Sequence, residues 1–306
     1  MSWNHILGQA FPVSVLKTHL ERERVAPAYL FAGPSGVGKR LTALELAKAL
    51  NCERGIDACD ACGSCRRIVK GIHPDVHRIE PQGAAETIRI DDVRAVVSRV
   101  VLRPFMAKCQ VVIIAQADRL TEEAANSLLK MLEEPPRQAR FVLTTAQPAG
   151  CLPTITSRCQ MIRFQQLPVG VVERLMQTEH GIEPSVSGQV SRLAQGSVTR
   201  GLELAKRWEA YAEKLAQLSD GKAEQWMAWP VPADREELSE WLTCSVTYLR
   251  DAVVDGHSRG LDPDRCIDAT LRVIELAESL QQMGNARLLG TLFREEWLAL
   301  LKSSEL

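Results

Sequence analysis

A short apolar run, Ala28 to Ala32, feeds straight into Gly33-Pro34-Ser35-Gly36-Val37-Gly38-Lys39, and a helical pattern follows from Lys39 to Asn51. This order of strand, glycine-rich loop and helix constrains the fold more than any other feature. Such a loop converges backbone N–H groups on phosphate oxygens at a helix N-terminus, with the Lys reaching the outer phosphates. The alternation continues along the chain. Val76 to Glu80, Gln110 to Ala115, Arg140 to Thr145 and Met161 to Phe164 read as strands, and Val13 to Arg24, Asp91 to Leu102 and Glu122 to Leu132 as helices. Strands alternating with helices of this length imply an α/β module, a parallel sheet with helices on both faces. In the helix after the loop, Leu41, Leu44, Ala47 and Leu50 are expected to face inward.

Past Phe164 the β signal stops, and Leu167-Pro168 marks a boundary. Three parts are expected. Residues 1–166 form the α/β module, with a cysteine-rich insertion at 52–65. Residues 167–207 hold about three short helices broken at Gly181 and Gly196, and 208–306 form a second helical block. That block opens with a soft stretch, Asp220 to Arg235, rich in Pro and Trp, and continues with amphipathic helices at Glu237 to Val254 and within Cys266 to Leu301.

Thirty-seven basic residues against thirty-eight acidic ones leave a formal charge of −1, which excludes the strongly basic balance of a chain that grips nucleic acid unaided. Any DNA contact is expected to be shared with partners. Apolar stretches such as Val111 to Ala115 fall well short of the roughly 18 residues a bilayer span requires, and the N-terminus carries no charged-then-apolar signal. A cytoplasmic protein with no membrane partner is expected.

The loop Gly33 to Lys39 fits G-x-x-x-x-G-K, so Gly33, Gly36, Gly38 and Lys39 are the candidate nucleotide-binding residues. The next position should offer a hydroxyl to Mg²⁺, but it is Arg40. The loop therefore reads as degenerate, weak or vestigial for nucleotide; a plain glycine turn joining strand to helix is the alternative. An active phosphate-loop ATPase also needs an apolar strand ending in carboxylates. Here Val111 to Ile114 ends in Ala115-Gln116-Ala117-Asp118, so the metal ligand and the base are both missing, and Asp118 is placed to cap or orient the loop before the helix at Thr121.

Cys52, Cys59, Cys62 and Cys65 form C-x6-C-x2-C-x2-C, the ligand number and close spacing that tetrahedral Zn²⁺ takes from four thiolates. An iron–sulfur cluster is the rival. Its bacterial pattern wants a further Cys followed by Pro, where this chain has Arg66-Arg67. Four protein ligands leave no open position, which makes the zinc structural. The other cysteines, at 109, 151, 159, 244 and 266, read as small core residues. His73 and His77 read as a turn residue and a strand residue.

The phosphate loop, the four-cysteine insertion after the first helix of the module, the run LTEEAANSLLKMLEEPP from Leu120 to Pro136 and the triplet Ser157-Arg158-Cys159 together resemble the bacterial clamp-loader subunits of DNA polymerase III, which are AAA+ proteins. The resemblance implies an AAA+ module, a helical lid at 167–207 and an all-α collar domain at 208–306. Within the family the damaged motifs are similar to a non-hydrolysing member, since the gamma/tau motors would keep Thr at position 40 and Asp-Glu at Ala115-Gln116. It further implies that Arg158 reaches in trans into a neighbouring subunit's ATP site, where a guanidinium spreads donors over phosphate oxygens. A surface pair with an acid of its own subunit is the alternative for Arg158. Thr144 or Thr145 matches the position that senses phosphate in active relatives; in Gly196-Ser197-Val198-Thr199-Arg200, Thr199 stands where the second sensor arginine is expected. The implied partners are the gamma/tau and delta subunits in a hetero-oligomer, the sliding clamp, and primed DNA through the complex. An active motor ATPase is the first rival function. A phosphate-loop phosphotransferase is the second, and it leaves the cysteine cluster, the triplet and the helical tail unexplained.

Overall fold

The computed structural model describes residues 2–83, 86–220, 222–254, 262–282 and 284–302. The chain divides into two compact units, Met1–Leu202 and Glu203–Leu306. The first is built on five parallel strands: β1 (Ala28–Ala32), β2 (Val76–Ile79), β3 (Gln110–Ile114), β4 (Ala139–Thr145) and β5 (Gln160–Arg163). Their order is β2-β3-β4-β1-β5. Around them lie α1 (Ala10–Glu21), α2 (Lys39–Asn51), α3 (Gly63–Val69), α4 (Ile90–Val100), α5 (Glu122–Glu133) and the short α6 (Pro153–Thr156).

The expected parallel sheet is formed, and its burial explains its sequence. Every residue of β1 and β3 is buried, as is all of β4 but Arg140, because helices cover both faces of a parallel sheet. Continuous apolar runs are the consequence, where a sheet with one wet face would alternate. Leu30, Val112, Ile114, Phe141 and Leu143 meet Ala124, Ala125, Leu128 and Leu132 of α5 in one core. Each large side chain so enclosed contributes about 1.5–3 kcal/mol of transfer free energy. The edge strands β2 and β5 are only half enclosed, and both are short. Thr121 caps α5 by accepting from the Ala124 N–H, and Glu122 and Glu123 sit in its first turn, where the helix dipole favours acids.

One inward face holds only in part. In α2 Ala47 is buried as expected, Leu44 and Leu50 are half-buried and Leu41 is exposed, while Thr42, Ala43, Leu46 and Ala49 are buried as well. The helix is enclosed on more than the one face its leucines mark.

Three further helices follow in the chain, α7 (Val169–His180), α8 (Pro184–Leu193) and α9 (Val198–Lys206). Gly181 closes α7 in the left-handed conformation. The remaining helices are α10 (Trp208–Asp220), α11 (Ala223–Met227), α12 (Arg235–Val254), α13 (Pro263–Gln281) and α14 (Ala286–Lys302). Gly221, inside the span Asp220 to Arg235, Met283, inside the span Cys266 to Leu301, and residues 255–261 and 303–306 of the expected C-terminal block lie outside the described residues.

Within the stretch Asp220 to Arg235 the two tryptophans belong to a core, contrary to the expectation of a soft segment. Trp226 of α11 and Trp229 after it are buried against Trp241, Phe293 and Trp297, with ring centroids 5.2–6.1 Å apart. Prolines shape the backbone there while the indoles form the centre of the second unit's core. On its outer side α13 leaves Ile267, Leu271 and Ile274 exposed, and α14 leaves Leu288 and Leu292. Among the described residues no helix is long and apolar enough to cross a membrane.

Candidate functional site

The glycine loop leaves the C-terminal end of β1, which lies between β4 and β5. That is where a parallel sheet opens a crevice beyond its strand ends. The Gly33 N–H donates to Thr145 O at 3.2 Å, and the Phe164 N–H to Ala32 O at 2.7 Å, so both flanking strands hold the loop's base. Gly33 is required there, since a Cβ would stand 2.3 Å from Phe164 O. Around the loop is a cleft of about 1560 Å³, lined by Gly36, Gly38, Lys39, Gln116, Thr144 and Thr199 among others.

The loop is satisfied by its own chain. Lys39 Nζ turns back and donates to Gly33 O and Pro34 O, each at 2.5 Å. Burial pulls the Lys39 pKa down to about 8, against the opposing Asp118 carboxylate. The start of α9 closes on the other side: the Val198 N–H donates to Gly36 O at 3.1 Å, and a Cβ on Gly36 would meet Ser197 Oγ at 2.3 Å and Thr199 N at 2.8 Å. Gln9, buried at 2% exposure, ties the parts together. Its amide donates to Val37 O at 3.3 Å and Gln165 O at 2.7 Å, and its carbonyl accepts from the Gln165 N–H at 3.2 Å. The sequence reading missed Gln9, and nothing in its local pattern marks a polar residue that bridges chain segments 156 positions apart.

At the end of β3, Gln116 takes a left-handed conformation, φ 53°, and its N–H donates to Thr144 Oγ1 at 3.2 Å. Thr145 Oγ1 donates to Asp118 Oδ1 at 2.6 Å. Both threonines thus serve the backbone and side chains of the neighbouring strand end, and Asp118 orients the loop as expected. Thr121, not Asp118, provides the helix cap. Arg40 points to Glu80, with Nη1 to Oε2 at 3.2 Å.

The four cysteines of the insertion come together. The sulfurs of Cys52, Cys59, Cys62 and Cys65 all lie within 4.8 Å of one another, and none is in a disulfide. A tetrahedral zinc with Zn–S near 2.3 Å needs sulfurs about 3.8 Å apart, so the set fits one ion. Backbone N–H groups already point at the sulfurs: Arg54 to Cys52, Cys62 to Cys59 and Cys65 to Cys62, at 3.3–3.5 Å. Backbone hydrogen bonds from Ala61 and Cys62 bring the Cys59 pKa down to about 6, favouring the thiolate that binds metal. The insertion is anchored by ions as well as by packing. Lys48 of α2 donates to Glu45 and to Asp60, each at 2.6 Å. Burial works against the Lys48 charge, but those two carboxylates outweigh it and hold its pKa above the ordinary value. His73 is no ligand: it is buried, with Nε2 3.3 Å from Ser64 Oγ and Nδ1 accepting from the Asp75 N–H at 3.2 Å. His77 lies in β2. The remaining five cysteines are buried or half-buried, as small core residues should be.

Arg158 stands on the surface just after α6, its side chain 33% exposed. It is paired within its own subunit, its nearest acid being Glu133 at the C-terminal end of α5, at 2.5 Å. Arg200 is likewise satisfied locally, by Gln195 Oε1 at 2.7 Å.

Comparison with known proteins places these features among relatives. The family model described as DNA polymerase III, delta subunit, matches residues 8–168. A DNA polymerase III subunit delta' of Bacillus subtilis is 38% identical over 211 residues, 67% of this chain and 61% of the relative. The subunit delta' of Pseudomonas aeruginosa is 31% identical over 248 residues, 74% of each chain. A subunit tau of Salmonella typhimurium is 36% identical over 206 residues, 65% of this chain but 32% of the relative. The chain thus spans about three fifths of the Bacillus relative and about a third of the tau relative.

Proposed function

This chain belongs to the DNA polymerase III delta' family of clamp-loader subunits, and from that premise we propose that it is a non-hydrolysing, stator-like subunit that helps open the sliding clamp and load it on primed DNA. In this reading residues 1–166 are the AAA+ module, 167–207 its lid and 208–306 a collar that packs with gamma/tau and delta subunits. The observation that carries the proposal is the self-occupied phosphate loop. Lys39 holds the carbonyls of Gly33 and Pro34, and the lid N–H of Val198 holds Gly36 O. A nucleotide would have to replace those contacts, and Arg40, Ala115 and Gln116 would still provide neither hydroxyl nor carboxylate for Mg²⁺.

A rigid subunit suits a ring-opening machine because moving neighbours need a fixed edge to work against. The exposed apolar residues Ile267, Leu271, Ile274, Leu288 and Leu292 support a collar role, since patches of this kind mark surfaces covered in assemblies. Zinc, held by Cys52, Cys59, Cys62 and Cys65, would close the insertion and supply charge neutralisation for four thiolates. With all four positions taken by these thiolates, the ion would have no position left for a substrate. Arg158, exposed beside the Ser157 turn, acts in trans on a neighbour's ATP.

Two measurements test the reading. The isolated chain should hydrolyse ATP at background level, and turnover near 1 per second, typical of working enzymes, would defeat the non-hydrolysing role. In the reconstituted loader, Arg158→Ala should leave assembly intact, lower the clamp- and DNA-stimulated ATPase in part, and reduce loading more severely. Arginine fingers contribute on the order of 10³ to 10⁵ in rate at a single site, but only the adjoining site loses its own. Lysine at 158 should rescue poorly, because a point charge does not replace a planar fork.

A further inference from the structure

In the lone subunit the Arg158 guanidinium is already engaged. Nε and Nη2 donate to Glu133 Oε1 at 2.9 and 2.5 Å, while Nη1 donates to Thr154 O at 2.9 Å and Ser157 Oγ at 3.2 Å. Four of the five N–H groups that a guanidinium offers therefore have acceptors on the same chain. Bidentate recognition of phosphate needs two parallel donors along one edge. The Nε/Nη2 edge is the one that could supply them, and Glu133 covers it.

Glu133 is oddly placed for stability alone. It is the last residue of α5, where the helix dipole disfavours a carboxylate, and its side chain is half exposed. Its pairing with Arg158 offsets that unfavourable position. Because both partners are partly in water, the contact is weak enough to exchange. Thr154 O and Ser157 Oγ can keep Nη1 while the other edge changes acceptor, so the arginine need not leave its turn.

From this geometry we infer that Glu133 is a positioning residue that parks Arg158, and that the phosphate of a neighbour's nucleotide must displace the Glu133 carboxylate before the arginine contributes. The inference rests on the reading that Arg158 acts in trans. It makes the arginine's availability a property of this subunit, set by one carboxylate, as well as of the neighbour's nucleotide state.

The test uses the reconstituted loader, with ATP hydrolysis measured with and without clamp and primed DNA, for wild type, Glu133→Gln, Glu133→Asp, Arg158→Ala and the double variant Glu133→Gln/Arg158→Ala. Glu133→Gln should raise hydrolysis without clamp and DNA by about two- to fivefold, the range that an exposed ion pair commands. Glu133→Asp, with the charge kept on a shorter arm, should give a smaller rise. The double variant should match Arg158→Ala alone, a non-additivity that a merely structural glutamate would not produce. If Arg158→Ala leaves hydrolysis unchanged, the in-trans reading fails and the parking with it. If Arg158→Ala lowers hydrolysis but Glu133→Gln equals wild type or falls below it, the parking is overturned while the in-trans reading stands.

Discussion

Asp75 illustrates how much a single buried residue organises. Its carboxylate accepts from the N–H groups of Phe105, Met106 and Ala107 at 2.7–2.9 Å, and its own N–H points at His73 Nδ1. Burial holds the His73 pKa below its ordinary value, against the pull of Asp75. A depressed folded pKa gives stability that is present above the unfolded value and lost as pH falls through the folded one. The first unit should therefore weaken as pH drops below about 6.5. His73→Gln should flatten that slope in urea unfolding followed against pH, and His77, depressed by the same burial, should retain part of it. A slope indifferent to His73→Gln would assign the acid sensitivity elsewhere. The cysteines give the second residue-scale expectation. Elemental analysis should find one zinc per chain, and Cys59→Ser should release it. The thermal midpoint should fall by only about 2–4 °C, the shift that 1 kcal/mol makes in a domain of this size, because Lys48 and its two carboxylates still hold the insertion to α2. Iron–sulfur absorbance, or no metal after mild purification, would refute zinc.

Among the elements, the glycine loop and the start of α9 meet closely at one glycine. Gly36 has φ 69°, and any Cβ there would press on Ser197 and Thr199. Gly36→Ala should cost about 1–3 kcal/mol through overpacking and a disfavoured backbone conformation. Chemical denaturation with hydrogen exchange on α7 to α9 would read it. Equal protection of these helices in the variant would mean that they are not coupled to the loop. All five strands of the first unit were legible within a residue or so of expectation, the central β1, β3 and β4 because a two-sided parallel sheet needs continuous apolar runs, while the short helices α3 and α6 were not expected. The inward face of α2 was legible only in part, because Ala47 is buried as expected while Ala43, Leu46 and Ala49 are buried too and Leu41 is left outside. A helix enclosed on several sides buries more than the stripe its leucines mark.

For the molecule as a whole, the C-terminal unit should be as sensitive to its indoles as the first is to its sheet. Trp226→Ala removes a ring that packs against four others and should cost about 3–5 kcal/mol. Near-UV circular dichroism of the tryptophans would report early melting; an unchanged transition would show that the cluster is incidental. Trp226 and Trp229 lie among prolines with no period, so composition made them a connector when they are core. The local order of strand, glycine loop and helix, the four-cysteine spacing and the missing carboxylates at Ala115 and Gln116 were settled by sequence alone. Each depends on residues close together in the chain, where covalent geometry leaves few arrangements. Tertiary structure alone decided that Lys39 folds onto its own loop, that Gln9 bridges to Gln165, and that Glu133 covers the donor edge of Arg158. Those contacts join side chains to acceptors that only the packed sheet and helices bring within hydrogen-bond reach, and no local pattern records where a distant acceptor will stand.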